Sequence, residues 1–222
     1  ENGKKYAKKV GYNPTVYMST DKPTGWKTLD GKNVLPKEMD NMSHATDFLD
    51  KYSDVDGMQV YGTKNYSYAY INEQYPDIVQ YDRSLLRVAN IDIEVGSENG
   101  FPEPSKASEP LTAITFKMNG HYYVMGCGAY DNTRKDVTYY ECTNERDLIL
   151  KFLELWNNHS PDIVTGWNVQ FFDIPYLYNR ITNVMGESAA KRLSPWRIVG
   201  DRTTTIMNRL HIAFDIVGIA VL

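Results

Sequence analysis

Few of the features that mark secreted, membrane-spanning or strongly basic proteins occur in this chain. It contains two cysteines, Cys127 and Cys142, which are too few for a disulfide framework or a zinc cage. No stretch approaches the roughly 18 consecutive apolar residues of a membrane helix, and the opening Glu1-Asn2-Gly3-Lys4-Lys5 lacks the apolar run of a secretory signal. The simplest interpretation is a protein of a reducing, intracellular compartment without a membrane partner.

The chain also lacks the excess of positive charge that is typical of proteins that bind duplex DNA regardless of its sequence. Its formal net charge is −4, which argues against such a binder but is compatible with an enzyme that has an acidic, metal-filled site. Residues 174–222 are locally positive, with six Lys and Arg residues against three Asp and Glu residues. Either a nucleic-acid contact or an ordinary solvated surface accounts for this local excess.

What the chain does contain is ordinary globular material that suits two domains. Its 222 residues are 42% hydrophobic and 23% charged, enough to bury a core in one large domain or two small ones. The pattern changes near Arg87, where a strictly alternating segment begins. We therefore predict an N-terminal domain over residues 1–86 and a second domain over residues 87–222.

The N-terminal part is predicted to be a small mixed domain. Ser43 is the expected cap of a helix with an i, i+3, i+4, i+7 apolar face. Strands are predicted over residues 58–61 and 66–71. The segment Asn65–Tyr81 is rich in tyrosine, and we expect these rings to form the outer layer of a small sheet, with base stacking as the alternative.

The second part alternates strand and helix patterns. Asn119-Gly120 is a strong hairpin signal, Asn144 is the expected cap of one helix, and Gly186 is the expected end of another. Strands are predicted over 88–95, 111–116, 121–126, 138–141, 162–166, 203–207 and 214–221, and helices after Asn144 and over 173–185. This order predicts an α/β (α+β) fold in which helices cover a mixed sheet.

Two acidic residues on the first of these strands are candidate metal ligands. Asp92 and Glu94 are separated by one residue, so on a strand both carboxylates point to the same side. Carboxylate pairs suit hard cations such as Mg²⁺ or Mn²⁺, which prefer oxygen ligands. The alternative for an isolated Asp-x-Glu is an exposed amphipathic strand with acidic outer residues.

A second candidate element, residues 165–173, links a predicted strand to a predicted helix. Asp173 ends it at the strand–helix junction, where its carboxylate would reach a metal ion and also cap the helix. Capping alone is the simpler role for Asp173, and Asn168 is equally well explained as a turn residue.

Together the two elements resemble the first and second exonuclease motifs of family B DNA polymerases. Asp-x-Glu is followed, roughly eighty residues later, by Gly166-x-Asn168-x₃-Phe172-Asp173. Within this family, several further segments resemble the replicative polymerases of T-even-like bacteriophages. The segments that carry this likeness are Tyr81–Val95, Gly100-Phe101-Pro102-Glu103-Pro104, Thr165–Tyr176 and Gly186–Pro195, together with the opening Glu1–Lys4.

The resemblance implies an RNase H-like exonuclease fold, preceded by the small N-terminal domain. It also implies a two-metal 3′→5′ proofreading nuclease that uses two divalent cations, Mg²⁺ or Mn²⁺. Asp92 and Glu94 would bind the ion that activates the attacking water. Asp173 would help to bind the second ion, with Asp92 bridging the two.

DNA contacts and partners follow from the same resemblance. Phe101 matches an aromatic wedge against frayed bases, Phe172 belongs to the second motif, and Asn168 would orient the strand. The alternatives are an exposed turn for Phe101 and core packing for Phe172. The implied partners are a single-stranded DNA 3′ end, the remainder of a polymerase and, through the N-terminal domain, RNA. The implied location is the cytoplasm of an infected bacterial host.

The sequence departs from the family pattern after Asp173. A third exonuclease motif with a Tyr-x₃-Asp setting is expected downstream, but 49 residues remain, and their only aspartates are Asp201 and Asp215. Polymerase palm motifs are also missing and there is no initiator Met. We expect a chain truncated at its C-terminus, which is a piece of a longer polymerase, one product of a split gene or a degenerate fragment. The alternative function is a nucleic-acid-binding or structural subunit of a split polymerase, without activity of its own.

Overall fold

The chain folds as two compact units, each described below by itself. The computed structural model describes residues 9–77, 80, 82–98, 100–206, 209–216 and 219–222. One unit comprises Tyr6–Tyr81 and the other contains Asp82–Leu222. Among the described residues, no helix has the length and apolar character that crossing a membrane requires.

The first unit is a small antiparallel sheet with two helices. The elements are β1 (Thr15–Ser19), β2 (Trp26–Lys27), β3 (Asn33–Glu38), α1 (Met42–Tyr52), β4 (Val60–Tyr61) and α2 (Tyr66–Gln74). The strand order is β2-β3-β1-β4. Helix α1 contributes Ala45 and Leu49 to a small core with Val16 and Met39.

Two predictions for this unit need correction. The cap of α1 is Asn41 rather than Ser43, because the Asn41 side chain accepts a hydrogen bond from the amide of His44 at 2.9 Å. The predicted strand over residues 66–71 is wrong, since this segment lies in helix α2. The strand propensity of tyrosine was overridden by packing: Tyr66 packs against the small core and its hydroxyl contacts Thr46 at 2.7 Å. Tyr81 lies outside the described residues.

The second unit contains the remaining strands and helices. They are β5 (Val88–Val95), β6 (Leu111–Met118), β7 (His121–Gly126), β8 (Val137–Glu141), α3 (Glu145–His159), β9 (Ile163–Thr165), α4 (Asp173–Met185), α5 (Glu187–Ala190), β10 (Val199–Ile206), β11 (Arg209–Ile216) and β12 (Ala220–Val221). Single 3₁₀ turns occur at Arg83–Leu85 and Lys191–Leu193.

A six-stranded mixed sheet forms the centre of this unit. Its order is β12-β9-β5-β6-β7-β8. Strands β5, β6 and β7 are antiparallel neighbours, whereas β9 runs parallel to both β5 and β12, and β8 runs parallel to β7. Helices α3 and α4 pack on the sheet. This arrangement confirms the predicted α/β fold with a mixed sheet and is consistent with an RNase H-like topology.

The main core lies between the sheet and the two long helices. Strand β5 alternates, so Ala89, Ile91 and Ile93 are buried while the side chains between them are exposed. The apolar stripe of α3 is buried in the same cluster, as is that of α4: Leu148, Ile149, Phe152, Leu153, Trp156, Ile174, Leu177 and Ile181. Since each fully buried side chain of this size contributes about 1.5–3 kcal/mol, this core fixes where β5 and α4 lie.

The predicted ends of several elements are confirmed. Asn119 and Gly120 both have positive φ, 52° and 80°, and connect β6 to β7, as a primed two-residue hairpin turn requires. Gly186 follows the last residue of α4 with φ 88°. Near the C-terminus, β10 and β11 pair along their whole lengths, so both strands begin earlier than the sequence predicted. Met207, Val217 and Gly218 lie outside the described residues.

Replacing Asn144 with alanine is expected to destabilise the protein by about 1 kcal/mol, because it removes a helix cap. The Asn144 side chain accepts a hydrogen bond from the amide of Asp147 at 3.0 Å in the first turn of α3. Urea unfolding measures the effect. Asn158→Ala, at an exposed position in the same helix, is the control and should change stability by less than half as much; equal effects would contradict the capping role.

Candidate active site

The central strand β5 presents two carboxylates on its exposed face. Asp92 and Glu94 are exposed, while Ile91 and Ile93 on either side of Asp92 are buried in the core. The sequence prediction that both carboxylates share one side of a strand is therefore in agreement with the alternation that the structure shows.

The end of β9 brings the third predicted carboxylate to the same strand. Strand β9 pairs with β5 only as far as Thr165, which lies opposite Asn90. Beyond that point the amide of Ile93 donates a hydrogen bond to Oδ1 of Asp173 at 3.1 Å. Asp173 thus bonds to β5 beyond the point where pairing with β9 ends, at Ile93, which lies between Asp92 and Glu94 in the sequence.

Asp173 is a buried carboxylate in an unfavourable electrostatic environment. Its side chain is only 3% exposed. Burial raises the pKa of Asp173 from 3.8 to about 6, and the negative charges of Asp92 and Glu94 act in the same direction. The hydrogen bond from Ile93 opposes this rise. A positive ion near the three carboxylates would lower the pKa of Asp173, since opposite charge favours the ionised form.

A tight turn between β9 and α4 places Asp173 next to β5. Asn168 has φ 55° and its carbonyl accepts hydrogen bonds from the amides of Phe171 and Phe172 at 3.0 and 2.9 Å. Gly166 begins the turn in a place where an added Cβ would lie 2.5 Å from the carbonyl oxygen of Ile91. The close approach of this turn to β5 therefore needs glycine. The structure places Asn168 in a turn, with its side chain exposed.

The predicted aromatic residues come together next to Asp173. The rings of Phe101 and Phe172 lie 5.5 Å apart, and Phe172 also stacks on Tyr176 at 5.7 Å. Phe101 is 86% exposed, whereas Phe172 is partly buried and packs against the core. The exposed ring of Phe101 therefore lies against Phe172, the residue that precedes Asp173, and Phe172 in turn stacks on Tyr176.

Trp167 is an exposed aromatic that the sequence reasoning did not single out. It lies in the turn between Gly166 and Asn168 and is 92% exposed. Its flanking turn residues were the available signal, because a large aromatic side chain in a short turn has little opportunity to be buried. Asp201, one of the two late aspartates, acts electrostatically on Tyr178 of α4.

The donor chemistry fits a divalent cation, although the side chains are not arranged as a closed metal site. Within the part of the chain that the structure describes, no three His, Cys, Asp or Glu side chains are grouped to hold a metal ion. The carboxylates of Asp92, Glu94 and Asp173 are nevertheless hard oxygen donors of the kind that Mg²⁺ and Mn²⁺ prefer. Two of them, Asp92 and Glu94, are exposed.

Comparisons with known proteins identify the family of this chain. The family described as DNA polymerase family B, exonuclease domain, matches residues 43–221. The chain is 35% identical to the DNA-directed DNA polymerase of Escherichia phage RB69 over 88% of its own length and 25% of that protein. It is 31% identical to the DNA-directed DNA polymerase of Enterobacteria phage T4 over 100% of its length and 28% of that protein.

A more distant relative is the DNA polymerase delta catalytic subunit of Caenorhabditis elegans, 32% identical over 43% of this chain and 9% of that protein. The chain spans about a quarter of the length of its phage relatives. Both the family match and the phage relatives include β5 and α4, the elements that carry the three carboxylates. The chain belongs to the family B DNA polymerases, and its matching region is their exonuclease domain.

Proposed function

We propose that this chain is the N-terminal and exonuclease portion of a phage DNA-directed DNA polymerase that hydrolyses single-stranded DNA ends in the 3′→5′ direction for proofreading. The observation that carries the proposal is the hydrogen bond from Ile93 to Asp173, which brings a buried carboxylate from α4 to the strand of Asp92 and Glu94. Family membership supplies the reaction class, and the three carboxylates supply the chemistry.

Asp92, Glu94 and Asp173 would hold two divalent cations, Mg²⁺ or Mn²⁺. Asp92 and Glu94 would hold one ion and Asp173 the other, with Asp92 shared. When bound, such a pair of ions lowers the pKa of water and offsets the charge of a phosphodiester in an in-line displacement. The chain's own contribution is to fix Asp173 through the Ile93 amide and to leave the other two carboxylates open to solvent.

The aromatic residues would hold the DNA end. Bases of single strands stack on aromatic side chains whatever their sequence, and Phe101 offers an exposed ring supported by Phe172. Trp167, on the turn that delivers Asp173, offers a second exposed ring. Asn168 presents an exposed amide on the same turn, suitable for a hydrogen bond to the sugar–phosphate backbone.

The decisive test is degradation of a 5′-labelled single-stranded oligonucleotide by the 222-residue chain with Mg²⁺ or Mn²⁺. We expect a ladder that shortens from the 3′ end. Asp92→Ala/Glu94→Ala should lower the rate about 10³-fold, since the ions supply several kcal/mol of transition-state stabilisation, while the affinity for the oligonucleotide persists. A folded wild-type chain that produces no ladder would contradict the proposal for this chain and favour the alternative below.

The alternative is a nucleic-acid-binding or structural subunit of a split polymerase, without activity of its own. One observation in the first unit favours nucleic-acid binding. A concavity of about 480 Å³ is lined by Tyr17, Trp26, Lys27 and Leu29 among others, and the rings of Tyr17 and Trp26 lie 5.6 Å apart. Aromatic rings beside a lysine suit a single-stranded base and its phosphate, so this unit would bind RNA.

The proposed partners are therefore a single-stranded DNA 3′ end, RNA through the first unit and the remainder of the polymerase, on the same chain or a separate one. The proposed location is the cytoplasm of an infected bacterial host, because the phage relatives are replication enzymes by name.

A further inference from the structure

One face of helix α4 is bonded along its length to the main chain of the segment that precedes β6. Four side chains of α4, spaced i, i+3, i+4 and i+7, donate hydrogen bonds to carbonyl oxygens of this segment. The bonds are Tyr176 to Glu109 at 2.6 Å, Asn179 to Pro104 at 2.9 Å, Arg180 to Ser108 at 2.7 Å and to Ala107 at 3.1 Å, and Asn183 to Lys106 at 2.9 Å.

In the described part of the chain, residues 104–109 lie outside the strands, and these bonds join them to α4. The segment contains a turn in which Ala107 alone is fully buried, with φ 42°, and the amides of Lys106 and Ala107 donate hydrogen bonds to the carbonyl of Glu103. Buried carbonyls without a partner are costly. The side chains of α4 donate hydrogen bonds to five carbonyls of the segment, those of Pro104, Lys106, Ala107, Ser108 and Glu109.

Arg180 is the most constrained member of the set. Its Nε and Nη2 atoms donate to the two carboxylate oxygens of Glu145, both at 2.7 Å, while its Nη1 atom reaches the segment. Glu145 in turn accepts a hydrogen bond from the amide of Leu111 at 2.7 Å. The two charged side chains are 15% and 17% exposed. The planar guanidinium makes two parallel hydrogen bonds to the carboxylate and a further one to the segment, a fixed geometry that a lysine ammonium does not reproduce.

The same helix therefore holds both halves of the proposed DNA-end site. At its start lie Phe172 and Asp173, and along its side it fixes the carbonyls from Pro104 onward. Phe101 lies three residues before Pro104, with its ring against Phe172. The exposed ring and the buried carboxylate are thus attached to one rigid element, although Phe101 and Asp173 are 72 positions apart in the sequence.

We propose that Arg180 is a positioning residue that fixes the segment after Phe101 on α4, so that the Phe101 ring stands at a set place beside Asp173 and determines how tightly a DNA 3′ end is held. This inference rests on the proposed function for its effect on DNA. The attachment of the segment to α4 by Arg180 is independent of that function.

The experiment compares Arg180→Met and Arg180→Lys with wild type. Arg146→Met, at an exposed arginine on the neighbouring helix α3, is the control. Hydrogen exchange of the amides in residues 100–110 is read by mass spectrometry and needs no activity. We expect exchange there to accelerate at least about tenfold in Arg180→Met, less in Arg180→Lys and not in the control, with exchange in the middle of α3 unchanged.

Two DNA measurements follow on the same variants. Binding of an oligonucleotide with 2-aminopurine at its 3′ end, with Ca²⁺ as the cation, should weaken about tenfold in Arg180→Met. Where hydrolysis is measured, KM should rise by a similar factor while kcat changes less than about threefold. The substitution leaves the hydrogen bond from the Ile93 amide to Asp173 in place. Arg180→Lys should restore part of the loss.

The outcomes separate the two proposals. Unchanged exchange in residues 100–110, or a fall in kcat at constant KM, would overturn the positioning role even if wild type cleaves DNA normally. A folded wild-type chain that neither binds nor cleaves DNA would overturn the proposed function, and with it any role of Arg180 on DNA. If Arg180→Met does not fold, Asn183→Ala removes contacts to the same segment without touching the ion pair and must accelerate exchange there.

Discussion

Replacing Asp173 with asparagine is expected to stabilise the metal-free protein at neutral pH while it abolishes hydrolysis. Burial and the charges of Asp92 and Glu94 raise the pKa of Asp173 from 3.8 to about 6, so the ionised form is disfavoured in the folded state. The difference corresponds to at most about 3 kcal/mol at pH 8. Asparagine has no charge to bury, and its Oδ1 atom still accepts the hydrogen bond from Ile93.

The pH dependence of this effect has a definite sign. A carboxyl group whose pKa is raised by folding contributes stability below its ordinary value, near pH 4, and loses that contribution as the pH rises through about 6. Wild type and Asp173→Asn should therefore be similar in stability near pH 4. The variant should become more stable by about 1–3 kcal/mol between pH 6 and 8, as measured by urea unfolding in the presence of a chelator.

Asp162 provides a matched control with the opposite expectation. Its carboxylate accepts hydrogen bonds from the amide and the Nε atom of Arg87 at 2.9 and 3.2 Å. Asp162→Asn removes the charge from a partly buried ion pair and should destabilise the protein at pH 8. An Asp173→Asn variant that is less stable than wild type at pH 8 would contradict the electrostatic account of the site.

The effect of cations on thermal stability is a second test of the role of Asp173. If the three carboxylates bind Mg²⁺ or Mn²⁺, millimolar cation should raise the melting temperature of wild type, because a ligand that binds only the folded state stabilises it by mass action. Asp173→Asn should respond much less. Asp173 would then lower the stability of the metal-free protein while it serves the reaction. Such a loss of stability is common at functional sites.

The elements whose sequence signals are local were predicted correctly. The alternation of β5, the Asn119-Gly120 hairpin and the Asn144 cap each depend on neighbours in the chain, and the structure confirms them. Helix α2 was missed because tyrosine favours strands in general, while here Tyr66 packs against a core formed by residues distant in sequence.

The site shows the same division between local and distant information. Strand periodicity predicts that Asp92 and Glu94 share a face. The hydrogen bond from Ile93 to Asp173 was not predictable, because it depends on β9 ending opposite Asn90. The ion pair of Arg180 with Glu145 joins residues that are 35 positions apart in the sequence. No periodic sequence pattern predicts such a contact.

Gly166→Ala should damage both stability and the geometry of the site. An alanine Cβ would lie 2.5 Å from the carbonyl oxygen of Ile91 and 3.4 Å from the Cβ of Val169. The first distance is shorter than any real contact, and Ile91 is held because it pairs with Phe116 of β6 and directly follows Asn90, which pairs with Thr165 of β9. The turn after β9 must therefore move, at a cost of about 2–4 kcal/mol in the free energy of unfolding.

The movement would be passed on to Asp173, which lies seven residues later at the end of the same turn. Its hydrogen bond to Ile93 would lengthen, and a displacement of about 1 Å is sufficient to lower hydrolysis about 100-fold. Gly128→Ala is the control, because nothing lies within 4 Å of the added Cβ there. Urea unfolding and the oligonucleotide assay measure the two effects. A Gly166→Ala protein as stable and active as Gly128→Ala would show that close approach to β5 does not set the position of Asp173, and the carboxylate would then have to be held by the core contacts of α4 alone.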